Sequence, residues 1–354
     1  MVEIERIPTP AVFEPGDWSD AVRLAMDIDA LDVGTRDLEH TPIEILAWWQ
    51  RDWEPRELWG VRGDGGWIGT VEYGWQVPSP ETAWVAISVH PDHRRRGIGS
   101  ALLAWALDRA RADGRSAMQC FTIEKPNEAA ERIDAPTGFG SFDRTTPGVR
   151  FALAHGFALG QVERVSRLTL PARALEQEYA AAAAAAADYD LESWVGPTPV
   201  HRQDAVARCA DAIQRDAPQG ELDAGSSDWT AEKVAADDAA QHAAGITRLV
   251  VLAVRRDTAE PAGYSELTLP REAGRSVKQG DTIVLGPHRG HRLGMLLKLA
   301  NIRQLARVAP DSPSIVTYNA EENRYMLSTN EAVGFIPIAY EGGWHRKVRG
   351  DRAE

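Results

Sequence analysis

The chain is predicted to be an α/β protein (α+β mixed) made of two successive domains, each a mixed central sheet flanked by helices. Its 354 residues are too many for one ordinary domain and enough for two. Strand and helix patterns run through the same order twice. Landmark residues recur at a long, nearly constant spacing: Gly69 and Glu72 match Gly263 and Glu266 at an offset of 194, Gly99 matches Gly294 at 195, and Gly156-Phe157 match Gly334-Phe335 at 178. The last offset is shorter because a polar segment between 124 and 147 is present only in the first half.

The elements follow in order. Trp18, Val22, Leu24, Ala25 and Ile28 recur on one face, which predicts a helix over 17–30, and a second follows near 44–49. Strands are expected at 57–61, 67–73 and 83–89, the last nearly all apolar and therefore central. A Gly-rich turn leads into a helix over 100–112 that Gly114 ends, and 116–122 is the next strand. The segment 124–147, with Pro126, Pro136, Gly138 and Gly140, is expected to be irregular. A short helix over 149–154 and a strand over 162–170 close a first domain, 1–171. Residues 172–190 read as an Ala-rich helical connector, or as a helix packed on one of the domains. The second domain, 191–354, repeats the order: helices near 202–214 and 230–244, strands at 249–254, 262–269 and 281–285, a helix over 295–308, a strand at 314–318 and a helix over 323–333.

Composition narrows the function. A formal net charge of −13 argues against a nucleic-acid-binding surface and suits a cationic partner such as an amine. Cys120 and Cys209 are too few for a disulfide framework, and no CxxC occurs. The acidic, proline-broken start is not a leader peptide, and no stretch approaches the ~20 apolar residues of a membrane span, so a cytoplasmic protein is expected.

The chemistry points to Val89-His90-Pro91-Asp92-His93-Arg94-Arg95-Arg96-Gly97-Ile98-Gly99-Ser100, which runs strand, turn, helix. A helix start offers unpaired N–H groups, glycines let an anion approach them, and arginines add charge. A Walker loop is excluded because Gly-Lys never occurs, and a dinucleotide fingerprint because Leu102 stands where its third glycine would be. The spacing Arg94-x-x-Gly97-x-Gly99 after Val-x-Pro resembles the pyrophosphate-binding motif of the GNAT acetyltransferase superfamily. The resemblance implies two tandem GNAT folds, an arrangement of the mycothiol-synthase-like kind, and acetyl-CoA as acyl-donor cosubstrate. It implies that the diphosphate lies on Arg94, Arg95, Arg96, Gly97, Ile98, Gly99 and Ser100, with the pantetheine arm along Ile87, Ser88 and Val89.

The second copy, Val284, Leu285, then Arg289, Gly290, His291, Arg292, Leu293, Gly294 and Met295, puts Arg292 opposite Gly97. Either Arg292 points outward and leaves the backbone usable, or this site is degraded. His288 and His291 have no Cys or carboxylate nearby to complete a ligand set, so no metal is expected. The resemblance adds Asn323 and Asn330 as cofactor-facing residues of the later helix, while Thr145 stands in that asparagine's place in the first half. The tyrosine that many family members use as proton donor is replaced by Ala152 and Asn330. Glu72 and Glu266, on matching central strands, are the candidate bases. The expected activity is N-acetyl transfer to the primary amine of a small molecule or peptide; the alternative is a non-catalytic acyl-CoA-binding sensor or scaffold.

Overall fold

A computed structural model describes residues 2–77, 79–127, 131–172, 175–223, 225 and 228–348. In chain order the first half comprises β1 (Glu5–Ile7), α1 (Asp17–Val33), α2 (Pro42–Trp49), β2 (Arg56–Gly63), β3 (Gly66–Trp75), β4 (Thr82–Val89), α3 (Ile98–Ala112), β5 (Ala117–Glu124), β6 (Arg132–Asp134), β7 (Ser141–Asp143), α4 (Pro147–Ala154) and β8 (Ala158–Thr169). The rest comprises α5 (Glu176–Ala185), β9 (Tyr189–Val195), α6 (Gln203–Asp216), α7 (Ala231–Ala243), β10 (Thr247–Arg255), β11 (Pro261–Leu269), β12 (Val277–Val284), α8 (Leu293–Val308), β13 (Ser314–Ala320), α9 (Arg324–Val333) and β14 (Ile336–Lys347). No helix among the described residues is long and apolar enough to cross a membrane.

Twelve strands form one sheet, in the order β1-β2-β3-β4-β5-β14-β8-β13-β12-β11-β10-β9. The last strand of each half is exchanged. β14, from the C-terminal half, lies between β5 and β8 of the first; β8 lies between β14 and β13. The two exchanged strands pair antiparallel, with Glu163 opposite Glu341, so the sheet is continuous from one half to the other. Helices α1, α2, α6 and α7 cover one face, with α2 packed on α7 through Ala47, Ala244 and Ile246. Helices α3, α4, α5, α8 and α9 cover the other.

Loops cross over as well. After α1, Asp37 accepts a hydrogen bond from Ser276 at the start of β12 (2.6 Å); after α6, Asp223 accepts one from Thr82 at the start of β4 (2.6 Å). Thr82 and Ser276 are 194 residues apart, the offset of the repeat, so the two contacts are copies of one another.

Three sequence expectations are refined. The segment 124–147 is not wholly irregular: β6 and β7 form a hairpin, held by Arg132 bonding Ser141 (2.7 Å) and by Phe142, fully buried beside Trp344. Three-residue strands are too short to show alternation. Of the two readings of the alanine-rich helix, the packed one describes α5, which buries Ala182 against α8; small side chains permit that close approach. The strand β9, read partly as connector, is a sheet edge paired with β10.

Trp344 tests the exchange. It belongs to the last strand of the chain yet is fully buried in the first half's core, where its indole N–H bonds Thr122 (2.8 Å). Trp344→Ala should cost about 3–5 kcal/mol in chemical denaturation, the scale of a large-to-small core substitution. A cost within 1 kcal/mol, ordinary for a surface position, would mean that β14 is dispensable to that core.

Candidate functional site

Each half opens a slot in the sheet. β4 runs parallel to β5 only from Thr82–Trp84 opposite Ala117–Gln119, and the remainder of β4 leads away towards the Arg-Gly loop. β12 and β13 pair only at Val277–Ile315 and Lys278–Val316, then part. Parted strands leave backbone N–H and C=O groups without sheet partners, which an extended ligand arm can bond. Ile87, Ser88 and Val89 lie on the free length of β4, and Val284 ends the free length of β12.

The two loops share one backbone. Each has a single 3-10 turn, Pro91–His93 and Gly286–His288, followed by an extended arginine, Arg94 and Arg289. Left-handed residues follow at matching places: Arg95 (φ 63°) and Gly97 (φ 82°) in the first loop, Gly290 (φ 88°) and Arg292 (φ 55°) in the second. Glycine and arginine have traded places on the same path. Arg292 adopts a conformation that costs a non-glycine residue free energy. Arg292 is exposed, and the loop keeps the backbone course of the first copy.

Arg94 and Arg289 brace these loops. Their Nε–H groups donate to Val89 O (3.1 Å) and Val284 O (3.0 Å), and their terminal nitrogens reach Asp32 on α1 and Asp216 on α6. Arg95 and Arg96 are exposed beside the helix start. Ile98 and Leu293 are buried and anchor the two helix starts; a Cβ on Gly97 would stand in open space, at the place an anion would approach the first N–H groups of α3. A Cβ on Gly99 would meet the Phe151 ring at 3.3 Å, and Ser100 Oγ lies 3.3 Å from His155 Nε2. Leu285 precedes the 3-10 turn of the second loop, and Gly294 and Met295 lie in the first turn of α8. His288 contacts the Tyr189 hydroxyl (3.2 Å), and the ring of His291 packs beside Tyr189, so both histidines serve the loop's underside.

The asparagines of the α9 segment bond protein groups, one within the helix and one on β13. Asn323 Oδ1 accepts from the Met326 N–H (3.2 Å) as an N-cap. Asn330 is buried and donates to Asn319 Oδ1 (2.6 Å), while its own Oδ1 has no partner among the described residues. Thr145 bonds Asp143 (2.7 Å). Burial pushes the thiols of Cys120 and Cys209 up to about 12.

Glu72 and Glu266 both face the α1/α6 side of the sheet, and each meets an arginine from the neighbouring strand, Arg56 and Arg248. Their surroundings then differ. Glu72 lies opposite Ala86 in regular pairing. Glu266 faces a bulge in β12, where Ser265 pairs with Thr282 and Leu267 with Gln279, leaving Gly280 and Asp281 as two residues against one. A Cβ on Gly280 would lie 2.5 Å from Glu266 Oε1, so glycine here leaves the carboxylate its present position. Burial first, then Glu266, raise the Asp281 carboxyl to about 6, although it accepts a bond from Tyr264 (2.7 Å).

A second group of carboxylates went unread in the sequence. Glu163 and Glu341 face each other across the exchanged strands, with Asp29 of α1 and Tyr318 of β13 close by. They stand seven residues after Gly156 and Gly334, so extending that alignment would have found them. Neither has a cation within salt-bridge distance among the described residues. Burial, and next the neighbouring carboxylates (Glu322 for Glu163; Glu163 and Asp29 for Glu341), hold both well above the ordinary range.

With this geometry in place, comparison defines the class. The slot, the loop at a helix start and the strand order describe an acyl-CoA-type acyltransferase fold. Residues 24–133 match the model of the acetyltransferase (GNAT) family. Over 99% of its length the chain is similar to all of a tandem GNAT protein from the clavulanic acid biosynthesis pathway, solved without AcCoA, at 24% identity and a TM-score of 0.73. It is also similar to a GCN5-related N-acetyltransferase from Sphaerobacter thermophilus, at 16% identity and a TM-score of 0.61 over 94% of this chain and 92% of that one. No curated protein matches. Residues 24–133 thus match the acetyltransferase (GNAT) family, and the chain as a whole has the fold of a tandem GNAT protein.

The Glu163–Glu341 pair gives a pH test. Their raised folded values mean that the native protein keeps a proton the unfolded chain has lost, so stability falls as pH rises from about 4.5 to about 8. Glu341→Gln should raise the Tm at pH 8 and leave it nearly unchanged at pH 5. Equal losses at both pH values would show that the pair does not share this strain.

Proposed function

We propose that the chain is an acetyl-CoA-dependent N-acetyltransferase acting on the primary amine of a small molecule in the cytoplasm, with chemistry in the second half. The observation that carries this reading is the doubled slot, each copy ending in a loop of the same backbone course at the start of a long helix. N–H groups from Gly97 to Ser100 and from Arg292 to Met295 would hold the diphosphate, helped by Arg95, Arg96 and Arg292. The bonding edges of Ile87–Val89 and of Val284–Leu285 would take the pantetheine arm. Arg94 and Arg289 hold the loops, and Asn323 and Asn330 hold the helix beside the second slot.

Acetyl-CoA supplies an activated thioester: the C–N bond forms as the C–S bond breaks, and the sulfur leaves as a thiol. Glu266 removes the proton that keeps the acceptor amine an unreactive ammonium and passes it to solvent. Its carboxylate stands beside a bulge that frees backbone groups near the reacting carbonyl. The second amine proton leaves with the thiol, so the sum is amide, thiol and one released proton. Glu72 has no bulge opposite and no second carboxylate comparable to Asp281, which favours the second half for catalysis and leaves the first as a holding site.

Gly97→Glu places bulk and charge where the phosphates would lie. It should abolish the acetyl-CoA-induced rise in the first half's stability, followed by hydrogen exchange, while protection of α8 by acetyl-CoA survives. Gly294→Glu should do the converse and remove turnover. Unchanged acetyl-CoA protection at both helix starts in both variants would rule out the loop assignment.

A further inference from the structure

A cavity of about 250 Å³ opens on the α1/α6 face, between the two halves. Its floor is second-half sheet: Glu266 and Thr268 of β11, Lys278 and Gly280 of β12. Its wall is first-half helix: His40, Glu44, Trp48 and Arg51 on or beside α2. Two features fix its place in the reaction. β12 and β13 part immediately after Lys278, so Gly280 stands at the apex of the slot. The loop that would hold the diphosphate is at the opposite end of β12, so an arm running down the slot brings its acyl tip to that apex. A second substrate must then arrive from the other side, where this cavity lies.

The charges in the cavity are mostly settled among protein groups. Arg51 is paired with Asp237, and Arg275 bridges to Glu44 and Glu272. Burial, then Lys278 and Arg275, push the His40 imidazole down to about 3, leaving a neutral ring against Trp48 (4.4 Å between centroids). Lys278 is different. Its ammonium donates to the backbone carbonyl of Asp37 and has no carboxylate within salt-bridge distance among the described residues. It is half-buried; burial, then Arg275, lower its amine to about 8 against the pull of Asp37, Glu44 and Glu39, and a cation without an ion pair in such a place favours an anionic guest. Across the floor stands the Glu266 carboxylate.

We propose that this cavity is the acceptor pocket of the second half, completed by α2 of the first, and that it takes an amino acid or a close analogue. The acceptor's carboxylate pairs with Lys278 and its amine with Glu266 beside the slot apex. This inference rests on the N-acetyltransferase reading. The volume fits a metabolite of amino-acid size, below the ~300–1,000 Å³ that accommodates drug-sized ligands. The opposed charges, a cation and a carboxylate on one floor, select a compound that carries both complements. The chain's overall acidity told only of a cationic partner; the pocket adds the anionic end.

The test uses the full chain. Thiol release from acetyl-CoA is followed with common α-amino acids and β-alanine, and with matched amines that lack the carboxylate, such as ethylamine and ethanolamine. At least one amino acid should exceed its matched amine in kcat/KM by 10-fold or more. Lys278→Met should raise the KM for that amino acid at least 10-fold with kcat little changed, should erase its preference over the amine, and should melt within a few degrees of the wild type. Lys278→Arg should restore much of the preference. Acetylation of plain amines as fast as amino acids, unaffected by Lys278→Met, would overturn the pocket and leave acetyl transfer standing. Should nothing be acetylated, calorimetry of the same amino acids on acetyl-CoA-loaded protein decides. Binding that Lys278→Met weakens 10-fold supports the pocket and removes the transfer reading; no binding removes the pocket.

Discussion

The antiparallel pairing of β8 with β14 is the constraint on which the rest of the molecule depends. Each strand leaves its own half and completes the other, so neither half has a closed sheet of its own. The first half's core holds Trp344 from the end of the chain, and the second half's core holds Leu168 from the end of the first. A strand removed from this seam would expose unpaired backbone edges on both sides. The halves are therefore one cooperative unit in the sheet, and the exchanged loops carrying Asp37 and Asp223 repeat that dependence on the helix-covered face. The same pairing sets Glu163 against Glu341, two copies of one residue brought face to face by the symmetry of the duplication.

The copies have since diverged in what their shared backbone carries. The first loop keeps glycine at the helix start and arginine two residues earlier; the second reverses them, and both follow the same path. Below the loops the difference is chemical. Where the first half buries Leu103, the second buries Lys298, whose amine burial lowers to about 7. Where β4 pairs regularly with β3, β12 bulges opposite Glu266 and carries Asp281. A loop that tolerates arginine in a left-handed conformation, beside a bulged strand whose Asp281 neighbours Glu266 of β11, is a local departure from regularity of the kind that functional sites accumulate. These differences are the ground for proposing a holding half and a reacting half, and α2 of the first half walls the cavity over β11 and β12 of the second.

Much of this was legible in the sequence because it rests on local signals. Helical spacing, apolar strand runs and the Arg-Gly loop placed the main elements to within a few residues, since their periodicities are intrinsic to backbone geometry. The long offsets announced the duplication. What escaped is non-local. Strand exchange leaves no mark on the strands themselves, because β8 and β14 have the same pattern whichever neighbour they pair with. Arg94 and Arg289 invited a phosphate role by type, and their return to Val89 and Val284 adds a brace that residue type alone did not suggest. Asn323 and Asn330 sat at the expected spacing, and their partners are the helix itself and Asn319. The cavity at Lys278 joins residues more than two hundred positions apart, a proximity no window along the chain contains.

A crystal structure grown with acetyl-CoA measures the central claim most directly. The account predicts two bound molecules per chain, their diphosphates on the N–H groups at the starts of α3 and α8, and the thioester of the second beside Gly280 and Glu266. Acetyl-CoA bound elsewhere, with both helix starts empty and both slots closed, would contradict it.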